Sequence, residues 1–224
     1  MATPDITMAE MRFQAGIDAY NEGKLEAAAE AFIDAEKQFR QIGNLKRAGD
    51  SRFILADIQR EHNLVEQAIT SFQKAMRTYQ EAGLPLNEAN ATLAIGHLER
   101  QQAHLDRAQD AYTQALHLYQ AENNLQGLGN AFLALGHIEL QRGNSDRATT
   151  YYQEAITDFR TANDRTNEAD ALRSLADMQR LTRQFDAAER AYQQALEVYQ
   201  SSKDRYGTVD TLIGLGNIYL AQQR

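Results

Sequence analysis

Acidic and amide side chains recur in this sequence at intervals of forty residues. The column that they form is Asp50, Asn90, Asn130, Asp170 and Asp210. Carboxylates and amides repeated at one step could form a ladder of hydrogen-bonding groups for the backbone of an extended ligand. They could equally solvate an open surface or bond to neighbouring loops. The ladder therefore predicts peptide binding, with surface solvation as the alternative.

A second polar column carries residue types that are found in metal and acid–base sites. It consists of Asp57, His97, His137, Asp177 and Asn217. Imidazole and carboxylate groups bind zinc and transfer protons. The sequence has no HExxH-type pair, no cysteine and no nucleophile–base constellation. We therefore predict no catalytic residue, no metal and no cofactor, and keep a metal-binding protein or enzyme that uses the two histidines as a less favoured alternative.

Arginines form a third column, at Arg60, Arg100 and Arg180. Guanidinium groups in a row could clamp a ligand carboxylate. Asp57 with Arg60 and Asp177 with Arg180 are also i, i+3 pairs of opposite charge, which alone would stabilise their helix by about 0.2–0.5 kcal/mol. Because acceptors and cations stand in adjacent columns, the charge of the ligand is left open.

Apolar residues repeat on the same face at Phe53, Leu93 and Leu133, and Arg173 takes their place in the next repeat. Apolar side chains rimmed by polar ones are typical of a binding patch. Ordinary packing between adjacent helices explains them equally well. If the patch binds a ligand, its apolar character fades toward the carboxyl end.

The forty-residue interval extends to the buried positions and predicts the elements that carry these columns. Such a period indicates stacked supersecondary units. Within each unit the apolar residues are spaced as on one face of a first helix, A, and of a longer second helix, B. The small residues mark places where two helices approach closely. The columns are Ala28, Ala68, Ala108, Ala148 and Ala188; Phe32, Phe72, Tyr112, Tyr152 and Tyr192; Ala35, Ala75, Ala115, Ala155 and Ala195; and the small residues Gly16, Ala56, Gly96, Gly136, Ala176 and Gly216.

Turn residues separate the predicted helices. One column after helix B favours positive φ, and the next residue is a preferred N-cap of the following helix A. Leu84 breaks the N-cap column, but Pro85 suits a first helical turn. Between A and B, Ala103 and Arg183 weaken a signal that glycine or asparagine gives elsewhere. The two columns are Gly43, Gly83, Asn123, Asn163 and Lys203, and Asn44, Asn124, Asp164 and Asp204.

This pattern resembles the tetratricopeptide repeat family. Gly96, Ala108, Tyr112 and Ala115 match the family's small, alanine and aromatic positions, and the match repeats over residues 9–224. The family's proline after helix B is absent, as in the long-repeat branch of kinesin light chains, Pins-type adaptors and bacterial regulatory sensors. The resemblance implies a right-handed α-solenoid of five helical hairpins and one terminal helix. It also implies a concave groove, lined by A helices, that holds a peptide or partner segment.

The function that the resemblance implies is a noncatalytic protein–protein interaction scaffold. The alternative is a sensor segment of a larger signalling or transcription regulator. We predict that the groove is lined by the polar, basic and apolar columns of helix A. These residues are Asp50, Phe53, Asp57, Arg60, Asn90, Leu93, His97, Arg100, Asn130, Leu133, His137, Asp170, Asp177 and Arg180.

The repeats leave a short tail at residues 1–8 and a single solenoid over residues 9–224. The units lie at about 9–47, 48–87, 88–127, 128–167 and 168–207, with a partial unit at 208–224. The partial unit has a helix A with apolar residues suited to contact another helix, although terminal repeats are usually polar outside. We expect either a homo-oligomer formed through this helix or a chain cut from a longer protein. The residues predicted to self-associate are Leu212, Leu215, Ile218 and Tyr219.

Composition restricts the partners. The chain has 23 Lys and Arg against 31 Asp and Glu, a net charge of −8, which disfavours nucleic acid and anionic membranes. The absence of cysteine fits a reducing compartment. No apolar run resembles a signal peptide or a membrane span. We expect a cytoplasmic protein whose partner is a protein or peptide, and neither nucleic acid nor membrane.

Overall fold

The computed structural model describes residues 6–222, which form eleven α-helices and no strand, as the predicted all-α class requires. The first helix begins at Ile6 and so includes three residues of the predicted tail. No helix in the described residues is both long and apolar enough to cross a membrane. The helices, with A helices odd-numbered and B helices even-numbered, are α1 (Ile6–Asn21), α2 (Leu25–Gln41), α3 (Leu45–Glu61), α4 (Val65–Glu81), α5 (Pro85–Gln101), α6 (Leu105–Ala121), α7 (Leu125–Gln141), α8 (Ser145–Thr161), α9 (Arg165–Leu181), α10 (Phe185–Ser201) and α11 (Arg205–Ala221).

Helices that follow one another in the chain pack against one another in two compact units, residues 1–118 and residues 119–224. In the first unit this sequential packing joins α1 through α5. In the second it joins α7 through α11, with a smaller contact between α9 and α11. Each unit is therefore a stack of consecutive helical hairpins, the packing typical of a tetratricopeptide-type solenoid.

The core of each hairpin lies along the predicted columns of helix B, whose alanine and aromatic residues are at most 1% exposed. Helix A carries a small residue where an aromatic ring of helix B fills the space. A Cβ added at Gly96 would lie 2.5 Å from Cε1 of Tyr112, and one at Gly136 would lie 2.5 Å from Cε1 of Tyr152. Carbon atoms repel one another well before that distance. The small column is therefore explained by close approach of the two helices.

The helix ends follow the predicted turn chemistry. Four side chains accept a hydrogen bond from the backbone N–H three residues later and so cap helices A; they are Asn44, Asn124, Asp164 and Asp204. Pro85 occupies the first turn of α5. Ala103 and Arg183, the two weak turn signals, both have a φ of 60°. The hairpin geometry imposes the left-handed conformation there although neither residue type favours it.

Candidate functional site

A pocket of about 260 Å³ opens in the first unit between α3 and α5. Three predicted ligand residues, Asp50, Phe53 and Asn90, line it together. Pockets for drug-sized ligands measure about 300–1,000 Å³, so this pocket has the size for one or two side chains of a peptide. The complete lining is Arg47, Asp50, Phe53, Ile54, Tyr79, Asn87 and Asn90.

Two amides reach the pocket from the first turns of α5. Pro85 begins the helix, and Asn87 and Asn90 follow at i and i+3, which are neighbouring positions on one helix face. Asn87 is half-buried and Asn90 is exposed. An amide carries both a donor and an acceptor, so these groups have the hydrogen-bonding pattern that a peptide backbone requires.

Asp50 stands between a tyrosine and a lysine. The buried Tyr79 hydroxyl donates to Asp50 Oδ1 at 2.9 Å, and Lys46 Nζ lies 2.8 Å from Oδ2. Burial, with the charge of Asp50 and the hydrogen bond to it, raises the pKa of Tyr79 far above its ordinary value, while a hydrogen bond from Asn87 opposes the shift. The Tyr79 hydroxyl therefore keeps its proton into alkaline pH and holds the carboxylate in place.

Arg47 forms one wall of the pocket and is fixed by its own partners. Its Nε donates to Glu10 Oε1 at 2.9 Å. Its guanidinium carbon lies 4.1 Å from the ring centroid of Phe13 and 5.2 Å from that of Phe39. The positive charge of Arg47 thus already interacts with Glu10 and with two aromatic rings. Arg47 therefore serves as part of the pocket wall and not as a site for an anionic ligand group.

The apolar residues of the predicted groove are only partly available. The half-buried Phe53 ring lies 5.1 Å from Phe72 and 6.5 Å from Tyr79, centroid to centroid, and also lines the pocket. Leu93 is half-buried and does not line it. In the second unit, Leu133 packs against the core. Packing against neighbouring side chains therefore covers part of the surface of these apolar residues, as the packing interpretation predicts.

Three members of the second polar column hydrogen-bond to tyrosines of helix B. A hydrogen bond of 2.9 Å joins His97 Nδ1 to the hydroxyl of Tyr112, and His137 Nδ1 makes the same contact with Tyr152. In α9, Asp177 Oδ1 accepts from the Tyr192 hydroxyl at 2.6 Å. Among residues 6–222, no group of three His, Cys, Asp or Glu side chains is arranged to hold a metal ion.

Two of the three predicted arginines are paired on their own helix. Arg60 lies 2.8 Å from Asp57. Arg180 Nε donates to the Tyr192 hydroxyl at 3.2 Å, and the guanidinium is 3.5 Å from Asp177. Arg100 hydrogen-bonds to Tyr112 of helix B, although its buried Nε makes no hydrogen bond.

In the second unit, the ladder residue Asp170 also accepts a hydrogen bond from a buried tyrosine, Tyr199. Arg173 lies 3.8 Å from Asp170 and 3.9 Å from Asp177, so it connects the two carboxylates. Asn130 is half-buried on α7. On the partly exposed polar face of α9, acidic and basic side chains therefore pair with one another.

The terminal helix requires a correction to the predicted association surface. Leu215 and Ile218 are 7% and 0% exposed, because they pack in the core of the second unit. The Tyr219 hydroxyl donates to Glu189 at 2.8 Å. Leu212 remains 49% exposed. Of the four predicted residues, Leu215 and Ile218 are not available to another molecule.

Sequence reasoning missed four pocket residues, namely Arg47, Ile54, Tyr79 and Asn87. For Tyr79 a signal was present, because a tyrosine stands 29 residues after the ladder aspartate both here and at Tyr199. The other three carry no repeated signal, and their role depends on how α3 and α5 lie beside each other.

Two family models match the sequence. The tetratricopeptide repeat model matches residues 127–201, and the model of the soluble NSF attachment protein, SNAP, matches residues 5–106. Among the curated proteins, no sequence matches the chain significantly.

Solved structures share the fold at low sequence identity. The apo form of RapI is 11% identical with a TM-score of 0.86, over 98% of this chain and 60% of that one. A Rap protein complexed with competence and sporulation factor is 14% identical with a TM-score of 0.72, over 96% and 64%. The Rap conjugation gene regulator of plasmid pLS20, in complex with the Phr* peptide, is 17% identical with a TM-score of 0.70, over 96% and 59%. This chain thus spans about three fifths of each of those chains.

Proposed function

We propose that this chain is a noncatalytic interaction scaffold that binds a peptide or partner segment in the pocket between α3 and α5. The match of residues 127–201 to the tetratricopeptide repeat model supports the role of scaffold. The observation that carries the proposal is the meeting of two amides, Asn87 and Asn90, with the apolar Phe53 and Ile54 in one pocket. Main-chain hydrogen bonds beside an apolar recess are what an extended segment needs for binding. Two structures of the same fold are complexes, one of them with a peptide.

In the proposed complex the ligand backbone hydrogen-bonds to Asn87 and Asn90. One ligand side chain enters the recess beside Phe53 and Ile54. Asp50 does not need to move, because Tyr79 and Lys46 already hold it. A pre-organised wall lowers the entropy cost of binding.

Most of the second and third polar columns take a supporting role in this proposal. Tyrosine hydroxyls bond to His97, His137 and Asp177, so these side chains stabilise their hairpins. The amides of α5 and the apolar side chains of α3 that line the pocket remain as the proposed ligand contacts.

A random peptide library displayed on phage and selected on the intact chain supplies ligands for the test. Replacement of both amides, Asn87→Ala with Asn90→Ala, should weaken binding of the selected peptides about tenfold or more, because each lost hydrogen bond costs about 0.5–1.5 kcal/mol. The control is Gln120→Ala, an exposed amide on α6 outside the pocket. Equal affinity of the double variant and the control, with both chains folded, would contradict the proposed site.

A further inference from the structure

Two arginines near the carboxyl ends of helices A pair with an aspartate three residues earlier. Arg60 lies 2.8 Å from Asp57, and Arg180 lies 3.5 Å from Asp177. Residues at i and i+3 are neighbours on one helix face, so each pair forms within its own helix. The third arginine of this column, Arg100, has different surroundings.

Helix α5 carries a histidine in place of that aspartate. His97 stands three residues before Arg100. An imidazole is neutral or positive, so it cannot neutralise a guanidinium. Among residues 6–222, no ion pair joins Arg100 to a carboxylate. Arg100 is half-buried, and its Nε is buried without a hydrogen bond. Charged groups that are removed from water are normally paired, so this guanidinium lacks the counter-ion that the other two arginines have.

A buried tyrosine of helix B holds Arg100 in position. Tyr112 hydrogen-bonds to Arg100, and its hydroxyl lies 2.9 Å from His97 Nδ1. A similar arrangement occurs in the second unit, where Arg180 Nε donates to the Tyr192 hydroxyl at 3.2 Å. A cation that the hairpin already holds loses little conformational entropy when an anion binds to it.

We propose that the bound segment carries a carboxylate and that Arg100 pairs with it, in the role that an aspartate has in α3 and α9. This inference rests on the proposed function, because Arg100 lies on the same helix as the pocket amides Asn87 and Asn90. A guanidinium binds a carboxylate through two parallel hydrogen bonds. The net charge of −8 repels polyanions, so a single carboxylate suits the site.

Helix geometry gives the position of the carboxylate in the ligand. Asn90 and Arg100 are ten residues apart in α5, which corresponds to about 15 Å along the helix axis. An extended chain advances about 3.3 Å per residue. The carboxylate therefore stands about four or five residues from the ligand residue that bonds to Asn90.

The test uses peptides selected from the phage library on the intact chain. Each peptide is synthesised in its selected form, with its acidic side chains replaced by amides, and with an amidated carboxyl terminus. We expect one of the two altered forms to bind the parent chain about tenfold or more weakly, because a charge-assisted hydrogen bond is lost. The altered form that loses affinity identifies the carboxylate as a side chain or as the chain terminus.

Two variants assign this preference to Arg100. Arg100→Gln removes the cation, and His97→Asp supplies the internal counter-ion, so both should bind the acidic and the altered peptides equally. His97→Asp keeps the hairpin intact, because Asp177 at the equivalent position accepts from Tyr192. The matched control is Arg77→Gln, at an exposed arginine of α4, and it should keep the preference.

Equal affinity of the parent chain for all forms of the peptides would overturn the inference. A preference that survives in Arg100→Gln would overturn it as well. Failure of the pocket gives a different result, because there Asn87→Ala with Asn90→Ala leaves affinity unchanged. Replacement of the amides thus decides the pocket, and replacement of Arg100 decides the carboxylate.

A second measurement needs no peptide. Sodium acetate is added to the full chain while the arginine Nε–H signals are followed by NMR, with sodium chloride at equal ionic strength as the reference. We expect the Arg100 signal of the parent chain to shift saturably with acetate, and the Arg77 signal to stay in place. In His97→Asp the Arg100 shift should be lost. An Arg100 signal that responds no more than Arg77 would count against a carboxylate site.

Discussion

At the scale of single residues, tyrosine hydroxyls of helix B satisfy the polar groups that helix A carries. Tyr79 donates to Asp50, and Tyr192 donates to Asp177. An aspartate at these positions costs little, because a buried tyrosine needs an acceptor and the carboxylate supplies one. These residues therefore stabilise the hairpin whether or not a ligand is bound.

Removal of one such hydroxyl tests this role. We expect Tyr192→Phe to lower the free energy of unfolding by about 1–2 kcal/mol, because the hydroxyl bonds to a charged acceptor that water reaches only in part. Urea denaturation followed by circular dichroism measures the change. The control is Tyr206→Phe, whose side chain is 88% exposed and which should change stability by less than about 0.5 kcal/mol. Equal effects of the two substitutions would show that the Tyr192 hydroxyl contributes nothing.

At the scale of the helical elements, small residues of helix A set the distance to helix B. An aromatic ring of helix B lies directly over Gly96 and over Gly136. The space beneath these two rings has no room for a further side chain, so each ring contributes a large apolar surface to the core. The small column and the aromatic column are therefore one packing unit repeated along each compact unit.

One glycine column allows a matched pair of substitutions. Gly136→Ala should destabilise the chain by about 1–3 kcal/mol, because the new methyl group meets the ring of Tyr152. Gly216→Ala should stabilise it by about 0.5–1 kcal/mol, because alanine is the better helix former and the added Cβ meets nothing within 4 Å. Thermal unfolding at one low protein concentration measures both. Changes of the same sign in the two variants would contradict the packing argument.

At the scale of the whole molecule, buried tyrosines link stability to alkaline pH in both units. Burial raises the pKa of Tyr79 and of Tyr112 in the first unit. In the second unit it raises the pKa of Tyr119 and Tyr199, and that of Tyr192 to about 12. In every case the neutral phenol is favoured in the folded chain, so ionisation of these groups opposes folding.

The folded chain loses stability at alkaline pH. An unfolded tyrosine loses its proton near pH 10, whereas folded Tyr192 keeps it until about pH 12. The stabilisation is therefore complete below about pH 10 and is lost as the pH rises through about 12, because the folded state holds more protons in that range. We expect the urea midpoint to fall across this window and the tyrosinate absorbance of the buried tyrosines to rise together with the loss of helix. Complete ionisation of the tyrosines while circular dichroism still reports the folded helices would contradict this.

The sequence by itself determined the helices, their ends, the hairpins and the buried columns. These features depend on residues close together in the chain, such as the N-cap Asn124, or on a spacing that repeats, such as Tyr112 and Tyr152 over Gly96 and Gly136. A helix face and a turn conformation are local properties, so the period of forty residues was enough to predict them.

Only the tertiary structure decided which polar and apolar groups are available to a partner. Arg47 and Asn87 join Asp50 in a pocket because α3 and α5 lie side by side. On α11, packing buries Ile218 and leaves Leu220 exposed, although both are equally apolar in sequence. Exposure depends on which neighbouring helix covers a face, and the helices that meet there are distant in the chain, so spacing within one helix does not reveal it.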